Sequence, residues 1–408
     1  MVVDVQFLLE VPTIESGETR DLSIVTVLFL SLLVVTFVRI FSLWTLSIAY
    51  GFRRHRPKAP LEMISVIVPA FNEERSLGQC LGSLLDQNYE DYEVIVVDDG
   101  STDKTLEIAR SYEGTKVKVI HQENEGKAGA LNTGIGASMG SIVLTVDADT
   151  RLNRSALRAL AERFSARSDL GALAGSVKVY NPKGLLQKLQ GTEYTTSIGL
   201  IRKGQSMLGS VMIVPGPIAA FRREAVGRVH GFSSDTFAED FDITLAVLKA
   251  HYRVEYESRA VAYTIAPRGL EDLVKQRRRW YRGMIQVLAK HDDMFLRRRY
   301  GVAGVYGIPF MWFDTVSPMV NLFLAIFAVL TGFLTGEWES ILYGLSAYWL
   351  LQTFLVLSAV GLDDQRSKWE VLVSPLMIFY NTFLDGIRIA AFAEEILSIR
   401  MKWETPRR

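Results

Sequence analysis

The sequence has little cysteine and no net charge, and two common nucleotide-binding motifs are missing from it. One cysteine among 408 residues, Cys80, excludes an internal disulfide and is typical of a reducing compartment. Forty-five basic residues balance 45 acidic ones, so the overall charge does not indicate a nucleic-acid partner. No G-x-G-x-x-G or Walker lysine motif follows an apolar strand, which argues against dinucleotide-binding and P-loop proteins.

Apolar residues are abundant but unevenly distributed along the chain. They make up 49% of the sequence and collect in residues 22–50 and again after about residue 303. Residues 60–300 have the composition of a soluble α/β enzyme. The uncharged run that begins at residue 22, with the apolar residues after Arg39, is long enough to cross ~30 Å of hydrocarbon as a helix. The sequence therefore predicts a transmembrane helix at 22–50 and a soluble domain at 60–300.

The charges beside the first apolar segment predict the orientation of the chain in a membrane. Residues 1–21 contain five acidic residues and one basic residue, which is not the basic start of a signal peptide. Four basic residues follow the apolar segment: Arg53, Arg54, Arg56 and Lys58. The positive-inside rule places these four in the cytoplasm. We therefore expect a multi-pass protein of the cell membrane, with 1–21 outside the cytoplasm and the soluble domain inside it.

Residues 301–395 are predicted to form transmembrane and interfacial helices. Crossings are expected at 317–335 and 341–361, and the acidic stretch between them is expected outside. Residues 303–316 are expected to lie in the membrane interface.

The segment 371–394 has two possible positions. It is long enough to span the membrane, but Asp385 and Arg388 interrupt it. A crossing would carry the basic tail, 396–408, to the outer side, against the charge rule. We therefore favour a position along the inner surface.

The stretch Ser141–Thr150, SIVLTVDADT, is an apolar run that ends in two carboxylates, Asp147 and Asp149. Its first residues are typical of a buried parallel strand, and open α/β sheets bind ligands beyond the carboxyl ends of such strands. Alternate residues of an extended chain point the same way, so both carboxylates can face one divalent cation that holds a diphosphate. The plainer alternative is a strand end with two solvated acids.

Two further apolar strands, Met63–Pro69 and Tyr92–Val97, also end in polar residues. The polar residues are Asn72 and Glu73 after the first strand, and Asp98 and Asp99 after the second. A helix pattern follows each strand, the second with Ser101 or Thr102 as N-cap, which predicts right-handed βαβ units in a mostly parallel sheet. Because parallel strands end at one edge of the sheet, these polar groups are expected to converge on a nucleotide site.

Two other charged residues have both a chemical and a plain interpretation. Lys127, in the glycine-rich stretch ENEGKAGALNTG, could contact a phosphate or a sugar, or be a solvated loop lysine. Asp240 precedes a helix pattern, so it could be a catalytic base or only an acid at a helix N-terminus.

The pentapeptide QRRRW at 276–280 lies in a predicted helix. A run of arginines usually forms a solvated or lipid-headgroup face, so we expect Arg277 and Arg278 at the surface. Gln276 and Trp280 are four residues apart and share a helix face, with Arg279 beside them. An arginine can bind a diphosphate through two N–H groups, and an indole offers an apolar face to a sugar ring.

Six motifs, in this order, resemble those of the membrane-integrated family 2 glycosyltransferases, which include cellulose, chitin and hyaluronan synthases. They are VIVPAFNEE, VVDDGSTDKT, EGKAGALNTG, VDADT, AED at 238–240, and QRRRW. QGTEYTTSIGLIRKGQSMLGSV and KWETPRR are similar to segments of poly-β-1,6-N-acetylglucosamine synthases in particular. Each motif alone is weak, but six in order are specific, and together they cover about 60–300. The resemblance implies an α/β nucleotide-diphospho-sugar transferase domain of the GT-A type.

The resemblance also implies roles for single residues. Asp240 would be the catalytic base, and Asp149 the ligand of Mg²⁺ or Mn²⁺. Substrate binding would fall to Pro69, Phe71, Glu73, Asp98, Asp99, Lys127, Asp147, Glu239, Gln276, Arg279 and Trp280. The family commonly has a threonine where this chain has Ala238, so a hydrogen bond of that threonine would be missing. The stretch 214–225 looks like the family's acceptor-facing loop, although its Gly and Pro could form only a turn.

The function expected from this resemblance is that of a processive inverting β-glycosyltransferase. It would elongate a polysaccharide at the membrane from a UDP-sugar, with UDP-N-acetylglucosamine favoured by the resemblance alone. One alternative is a single-transfer enzyme with a lipid acceptor, and another is a membrane receptor or scaffold that retains an inactive transferase domain. The expected partners are the UDP-sugar, a growing glycan or lipid acceptor, the lipid bilayer and, optionally, an accessory membrane subunit, but no nucleic acid.

Overall fold

The computed structural model of the protein describes residues 38, 41–53, 57–336, 338–363, 365 and 367–399. The predicted segment 1–21, much of the predicted helix 22–50 and most of the tail 396–408 lie outside these residues. Of the first apolar segment, residues 41–51 form a helix, α1.

An eight-stranded mixed sheet forms the centre of the soluble part. Its strands are β1 (Ile64–Ala70), β2 (Tyr92–Asp99), β3 (Val117–Gln122), β4 (Ile142–Thr145), β5 (Arg151–Leu152), β6 (Leu170–Val179), β7 (Ala219–Arg222) and β8 (Arg253–Thr264). In space the order is β3-β2-β1-β4-β7-β6-β8-β5. The first four of these pair in parallel, as do β6 and β8, whereas β7 is antiparallel to both neighbours and β5 is antiparallel to β8. The prediction of a mostly parallel sheet is confirmed.

Helices cover both faces of the sheet and continue beyond it. Those within the soluble part are α2 (Leu77–Leu85), α3 (Thr105–Ser111), α4 (Gly126–Gly136), α5 (Ala156–Ser165), α6 (Leu185–Glu193), α7 (Ile201–Leu208), α8 (Arg223–Arg228), α9 (Glu239–Lys249) and α10 (Leu270–Lys290). A π-helical segment, Tyr194–Leu200, joins α6 to α7. The later helices are α11 (Ile308–Thr335), α12 (Trp338–Gly361), α13 (Lys368–Val373) and α14 (Met377–Ile396).

The parallel half of the sheet forms from three continuous apolar runs. β1 lies between β2 and β4, and Val66 pairs with Val94 on one side and Leu144 on the other. Such runs are typical of strands covered on both faces: Val66 packs with residues of α2 and α5, and Ile67 with residues of α4 and α9. A Cβ on Gly134 of α4 would lie 2.4 Å from Ile67 Cγ2. This close approach fixes α4, and with it the position of its first turn, against the sheet.

The start of α3 differs from the expectation. Its N-cap residue is Lys104, so the prediction of Ser101 or Thr102 as N-cap is wrong. These two residues bind Asn72 in the loop after β1 instead. Ser101 Oγ accepts a hydrogen bond from the Asn72 N–H at 3.0 Å, and the Thr102 N–H donates to Asn72 Oδ1 at 2.8 Å. The polar side chains therefore join the loops after β1 and β2 at the edge where both strands end.

Three helical segments among the described residues are long and apolar enough to cross a membrane: Ala303–Leu334, Ile341–Gly361 and Lys368–Ile396. They include the crossings predicted at 317–335 and 341–361. Residues 303–316 belong to the first of these segments, and their expected position in the membrane interface stays a prediction. A π-helical turn, Ala303–Gly307, leads directly into α11, which continues through Pro318.

Candidate active site

The residues after β1 lie at the carboxyl edge of the sheet. Pro69 lies past the last residue of β1 that pairs with β4, so its missing N–H costs no hydrogen bond to that strand. Phe71 is exposed at this edge. The Glu73 N–H donates to Thr105 Oγ1 at 2.7 Å, and the Glu73 carboxylate accepts a hydrogen bond from the Ser76 hydroxyl. Glu73 therefore fixes the start of α2 and joins it to α3.

Asp98 and Asp99 end β2, and both are almost entirely buried. Asp98 Oδ2 lies 2.7 Å from His121 Nδ1, whereas Oδ1 is buried with no hydrogen-bond partner in the described part of the chain. Such a buried acceptor is uncommon in proteins, and an N–H of a nucleotide base could satisfy it. Asp99 Oδ1 accepts hydrogen bonds from Gln122 Nε2 at 2.7 Å and from the Glu125 N–H at 3.0 Å. Asp99 thus holds the loop that leads into α4.

Lys127, in the first turn of α4, joins two carboxylates. Its Nζ lies 2.8 Å from Asp147 Oδ1 and 2.9 Å from Glu239 Oε1. Burial acts to lower the pKa of Lys127, but Asp147 and Glu239 outweigh it and raise that pKa above its ordinary value. The ammonium is therefore charged at neutral pH and links the residues after β4 to the start of α9.

Asp147 and Asp149 lie in a turn after β4. The strand ends at Thr145, and the Thr150 N–H donates to the Asp147 carbonyl at 2.9 Å. The expectation that an extended strand aims both carboxylates the same way is therefore wrong, because the chain has already turned. Asp147 is half-buried against Lys127, while Asp149 is only 6% exposed.

The turn after β4 also contains the oxygen ligands expected for a metal. Within the described residues, no three His, Cys, Asp or Glu side chains come together in a way that could hold a metal ion. Asp147 and Asp149 nevertheless supply carboxylate oxygens, which Mg²⁺ and Mn²⁺ prefer. Magnesium in particular is commonly bound by one or two carboxylates together with substrate phosphates and water. This donor set fits an ion that is shared with a nucleotide diphosphate.

Asp240 is the second residue of α9, and two backbone N–H groups hold its carboxylate. Oδ2 accepts a hydrogen bond from Gly216 at 3.2 Å, and Oδ1 accepts one from Phe241 at 2.8 Å. Burial, and then the Glu239 carboxylate, raise the pKa of Asp240 to about 6, against the lowering effects of Lys127 and the two N–H groups. At neutral pH Asp240 is therefore ionised, yet more basic than an ordinary aspartate.

Gly216 is the point at which the stretch 214–225 meets these charged groups. Its N–H binds Asp240, and a Cβ at this position would lie 2.8 Å from Lys127 Nζ and 3.2 Å from Asp147 Oδ2. The residue begins a short 3-10 turn before β7. Only a hydrogen at the Cα allows the lysine, the aspartate and this loop to approach so closely.

The substitution Gly216→Ala is expected to lower turnover about tenfold, because the new methyl group displaces Lys127 from Asp147. The nearest atom is the end of a flexible side chain, so the free energy of unfolding should change by less than about 1 kcal/mol. Steady-state rates and thermal denaturation measure the two effects. Gly227→Ala is the matched control, since a Cβ there has no heavy atom within 4 Å. Unchanged turnover in Gly216→Ala would contradict the close packing inferred for this site.

Helix α10 packs directly against the Ala238-Glu239-Asp240 segment. A Cβ on Gly283 would lie 2.8 Å from Ala238 Cβ and 2.9 Å from Ala238 N. Ala238 is the N-cap residue of α9 and makes no side-chain cap, so a hydrogen bond that a threonine could provide is absent at this cap. Gln276, Arg279 and Trp280 lie within two turns before Gly283 on α10.

The side chains of the QRRRW motif have different environments. Gln276 is 7% exposed, and its Oε1 is buried with no hydrogen-bond partner among the described residues. Arg279 and Trp280 are half-buried, and Trp280 packs against the core cluster that includes α2 and α5. An unpaired amide oxygen and a half-exposed indole are both available to a ligand.

Arg277 is buried, so the expectation that it lies at the surface is wrong. The residue is 1% exposed, and its Nη2 lies 2.7 Å from Glu193 Oε2. Helix α10 packs against α14, and Glu193 at the end of α6 supplies the counter-charge that permits the burial of Arg277. Arg278 remains partly exposed and pairs with Glu394 at 2.6 Å.

The structure brings four of the predicted residues together around Gly216: Lys127, Asp147, Glu239 and Asp240. It places the other predicted residues at the ends of β1 and β2, after β4, and on α10. The sequence patterns did not indicate the roles of Gly216, Arg277 and Glu193. The Gly-Pro pair in VPGP indicates a turn. The sequence separation of Arg277 and Glu193 gave no indication that they form an ion pair.

Comparison with known proteins identifies the family. A model of the family described as glycosyl transferase family 2 matches residues 65–229. A poly-beta-1,6-N-acetyl-D-glucosamine synthase of Staphylococcus epidermidis is 32% identical to the chain over 330 residues, which are 80% of this chain and 73% of that protein. The chain belongs to glycosyl transferase family 2. The family predicted from the six motifs is therefore confirmed.

Two further similarities concern relatives of this family-2 chain. A synthase of the same name from Staphylococcus aureus strain COL is 33% identical over 232 residues, so the match spans 56% of each protein, or about half the length of that relative. A solved mannosyltransferase from Pyrobaculum calidifontis, in complex with GDP-Man and Mn²⁺, aligns with a TM-score of 0.67 at 20% identity. That alignment covers 91% of this chain and 98% of the other. At this identity the likeness concerns the fold alone, and the predicted GT-A-like α/β fold is confirmed.

Proposed function

We propose that this family-2 chain is a processive inverting β-glycosyltransferase that elongates a polysaccharide from UDP-N-acetylglucosamine at the cytoplasmic face of a membrane. The arrangement around Gly216 is the observation that carries the proposal. There the raised-pKa carboxylate of Asp240 and the Lys127–Asp147 pair meet at one glycine. A base beside a group that can hold a diphosphate is what transfer from a nucleotide sugar requires.

The donor would lie along the carboxyl edge of the sheet. Asp98, with its unpaired buried oxygen, suits the nucleotide base, and the ordered loop behind Asp99 supports it. Lys127 would contact the diphosphate, because its ammonium already lies beside Asp147. Asp147 and Asp149 would hold Mg²⁺ or Mn²⁺. The ion, when bound, would neutralise charge on the leaving diphosphate.

Asp240 would remove the proton from the attacking hydroxyl of the acceptor. As the new bond from oxygen to the anomeric carbon forms, the bond from that carbon to the diphosphate breaks, and the hydroxyl proton moves to the Asp240 carboxylate. Attack on the side opposite the leaving group inverts the anomeric centre. The hydrogen bonds from Gly216 and Phe241 hold the carboxylate in one orientation before the acceptor arrives.

The acceptor side of the site would be formed by α10. Trp280 offers a half-buried indole face for a sugar ring, and Gln276 offers a free amide oxygen. An indole binds a sugar face with little dependence on the hydroxyl pattern, which suits an enzyme that keeps its product after each transfer. The relatives named as poly-beta-1,6-N-acetyl-D-glucosamine synthases support a polymer as the product.

A panel of labelled nucleotide sugars tests the proposed donor. Membranes containing the protein would be incubated with UDP-N-acetylglucosamine, UDP-glucose, UDP-glucuronate or GDP-mannose, and released nucleoside diphosphate and incorporated label would be measured. We expect UDP release with incorporation only from UDP-N-acetylglucosamine. Incorporation from another donor alone would overturn the proposed sugar, and no incorporation from any donor would overturn the proposed activity.

The pH dependence of kcat/KM is expected to report the ionisation of Asp240. A base works only as its carboxylate, and the pKa of this group is raised to about 6. Activity should therefore be complete above that pH and fall roughly tenfold per unit as the pH drops below it. Rates of UDP release between about pH 5 and about pH 8 measure this fall in activity, and donor binding at each pH is the control. Full activity down to about pH 4, near the ordinary aspartate value, would contradict the assignment.

Helix α14 supports an interfacial position for the segment predicted at 371–394. Near its end, Glu394 pairs with Arg278 at 2.6 Å, and Glu395 pairs with Arg282 at 2.7 Å. Both arginines belong to α10, in the domain that we propose to be cytoplasmic. Two ion pairs at one end therefore tie α14 to the catalytic side of the membrane.

Cysteine labelling tests this topology. In intact cells an impermeant thiol reagent is expected to label Glu339→Cys, between the two predicted crossings, but not Arg408→Cys. The native thiol gives little background, because Cys80 is fully buried and burial raises its pKa. Labelling of Arg408→Cys in intact cells would show that the chain crosses once more after α12.

A further inference from the structure

Arg277 lies directly behind the indole that the proposed function assigns to the acceptor. The centre of its guanidinium lies 4.3 Å from the centre of the Trp280 ring, within the range of a cation–π contact. The ring of Tyr194, the first residue of the π-helical segment, lies 5.8 Å from the same guanidinium. The guanidinium thus contacts two aromatic rings, the buried ring of Tyr194 and the half-buried ring of Trp280.

A carboxylate from α6 binds this guanidinium, and a hydroxyl from α14 binds that carboxylate. Glu193, the last residue of α6, accepts a hydrogen bond from Arg277 Nη2 at 2.7 Å. The Tyr380 hydroxyl of α14 donates to the same carboxylate oxygen of Glu193 at 2.9 Å. Arg277, Glu193 and Tyr380 are all buried, so little water competes for these hydrogen bonds. The position of Arg277 is therefore set jointly by α6 and α14.

A buried ion pair does not by itself imply a function. Burying the charge of Arg277 is costly, and a pair of apolar side chains could fill the same space at least as stably. What the arginine adds is a charged planar group of fixed orientation against one face of Trp280. The part of this half-buried indole that remains exposed is the part that a sugar could use.

We infer that Arg277 is a positioning residue for Trp280, held by Glu193 and Tyr380, so that the orientation of the indole depends on the docking of α14 against α10. The inference rests on the proposed function in one respect, the acceptor role of Trp280. It adds that helix α14, which contains no residue of the predicted site, controls the acceptor side. The residues proposed for the donor, Asp98, Asp147 and Asp149, lie at the carboxyl edge of the sheet, and donor binding should not respond.

Two substitutions of different severity test the inference. Arg277→Lys keeps the charge but removes the planar group, and it should lower turnover about tenfold with the donor KM unchanged. Tyr380→Phe removes only one hydroxyl, which donates to Glu193, and should lower turnover roughly threefold to fivefold. Arg228→Lys, at an exposed ion pair with Glu224 of the same helix, is the matched control and should behave like the parent.

A double-mutant cycle separates positioning from general stabilisation. In a Trp280→Ala background, Arg277→Lys and Tyr380→Phe should cost little further turnover, because the ring that they orient is absent. Equal fold losses in both backgrounds, or a raised donor KM in Tyr380→Phe, would overturn the inference. Because Tyr380→Phe is a small change, a folding defect of Arg277→Lys would not remove the test.

A spectroscopic measurement keeps the inference separate from the proposed function. The seven tryptophans can be replaced by 5-fluorotryptophan, and the ¹⁹F resonance of Trp280 can be assigned as the one lost in Trp280→Phe. Tyr380→Phe should shift or broaden this resonance, and Arg228→Lys should not. An unchanged Trp280 resonance in Tyr380→Phe would overturn the positioning role. Parental turnover in Trp280→Ala would instead count against the proposed acceptor role, and the resonance would then decide the inference alone.

Discussion

Replacing Asp240 with asparagine, Asp240→Asn, is expected to reduce turnover by on the order of a hundredfold or more while donor binding persists. The amide keeps the size of the side chain, and its single oxygen can still accept one of the two hydrogen bonds that Gly216 and Phe241 donate to separate oxygens of Asp240. It cannot accept a proton from an attacking hydroxyl. The rate of sugar transfer and the affinity for UDP-N-acetylglucosamine, measured on the same preparation, give the two halves of this prediction.

A matched control for this substitution lies five residues earlier in the chain. Asp235→Asn removes a carboxylate that is exposed and pairs with Lys290 at 3.1 Å, so it should leave turnover unchanged. A loss of donor affinity as large as the loss of turnover in Asp240→Asn would assign the residue to binding. Near-normal turnover in that variant would remove the base assignment altogether.

Removal of divalent cations is expected to abolish transfer, and Asp149→Ala is expected to weaken donor binding at least roughly tenfold in Mg²⁺ or Mn²⁺. If Asp149 acts through a metal, the two changes should not add: in excess EDTA the variant and the parent should bind the donor equally weakly. Donor affinity measured with and without cation, for both proteins, completes this comparison.

Asp86 provides a control for the predicted role of Asp149 in metal binding. Asp86→Asn changes an exposed carboxylate that lies 3.5 Å from Arg154, and it should respond to cation like the parent. Full activity of the parent in excess EDTA would contradict the metal role. A loss of affinity in Asp149→Ala that persists in EDTA would assign Asp149 to the donor itself.

The strands nearest the site were predictable because their burial leaves a clear pattern. β1, β2 and β4 are covered on both faces, and a strand buried in this way is a continuous apolar run in the sequence. β5 has two residues and β7 has four, so both strands are too short for an alternation of apolar and polar residues to be recognised. Their places in the sheet follow from pairing with β8, β4 and β6, which is a tertiary effect.

The parts of the site that escaped prediction depend on contacts between distant segments. Arg277 was expected at the surface because runs of arginine are usually solvated, yet a carboxylate 84 residues away neutralises it inside the protein. The α3 cap was misplaced for a similar reason, since Ser101 and Thr102 bind Asn72 about 30 residues earlier. The motifs contain Lys127, Asp147, Glu239 and Asp240, which the structure brings together, but local patterns could not show which of these residues pair with each other.

The length of the product made with excess UDP-N-acetylglucosamine tests the central claim, processive transfer, most directly. Membranes containing the parent, Asp240→Asn or Trp280→Ala would be supplied with labelled donor and cation, and the products separated by size. The account predicts a ladder or a high-mass polymer from the parent, almost no product from Asp240→Asn, and only short products from Trp280→Ala. A single glycolipid, one sugar larger than its acceptor and no longer with time or excess donor, would contradict it.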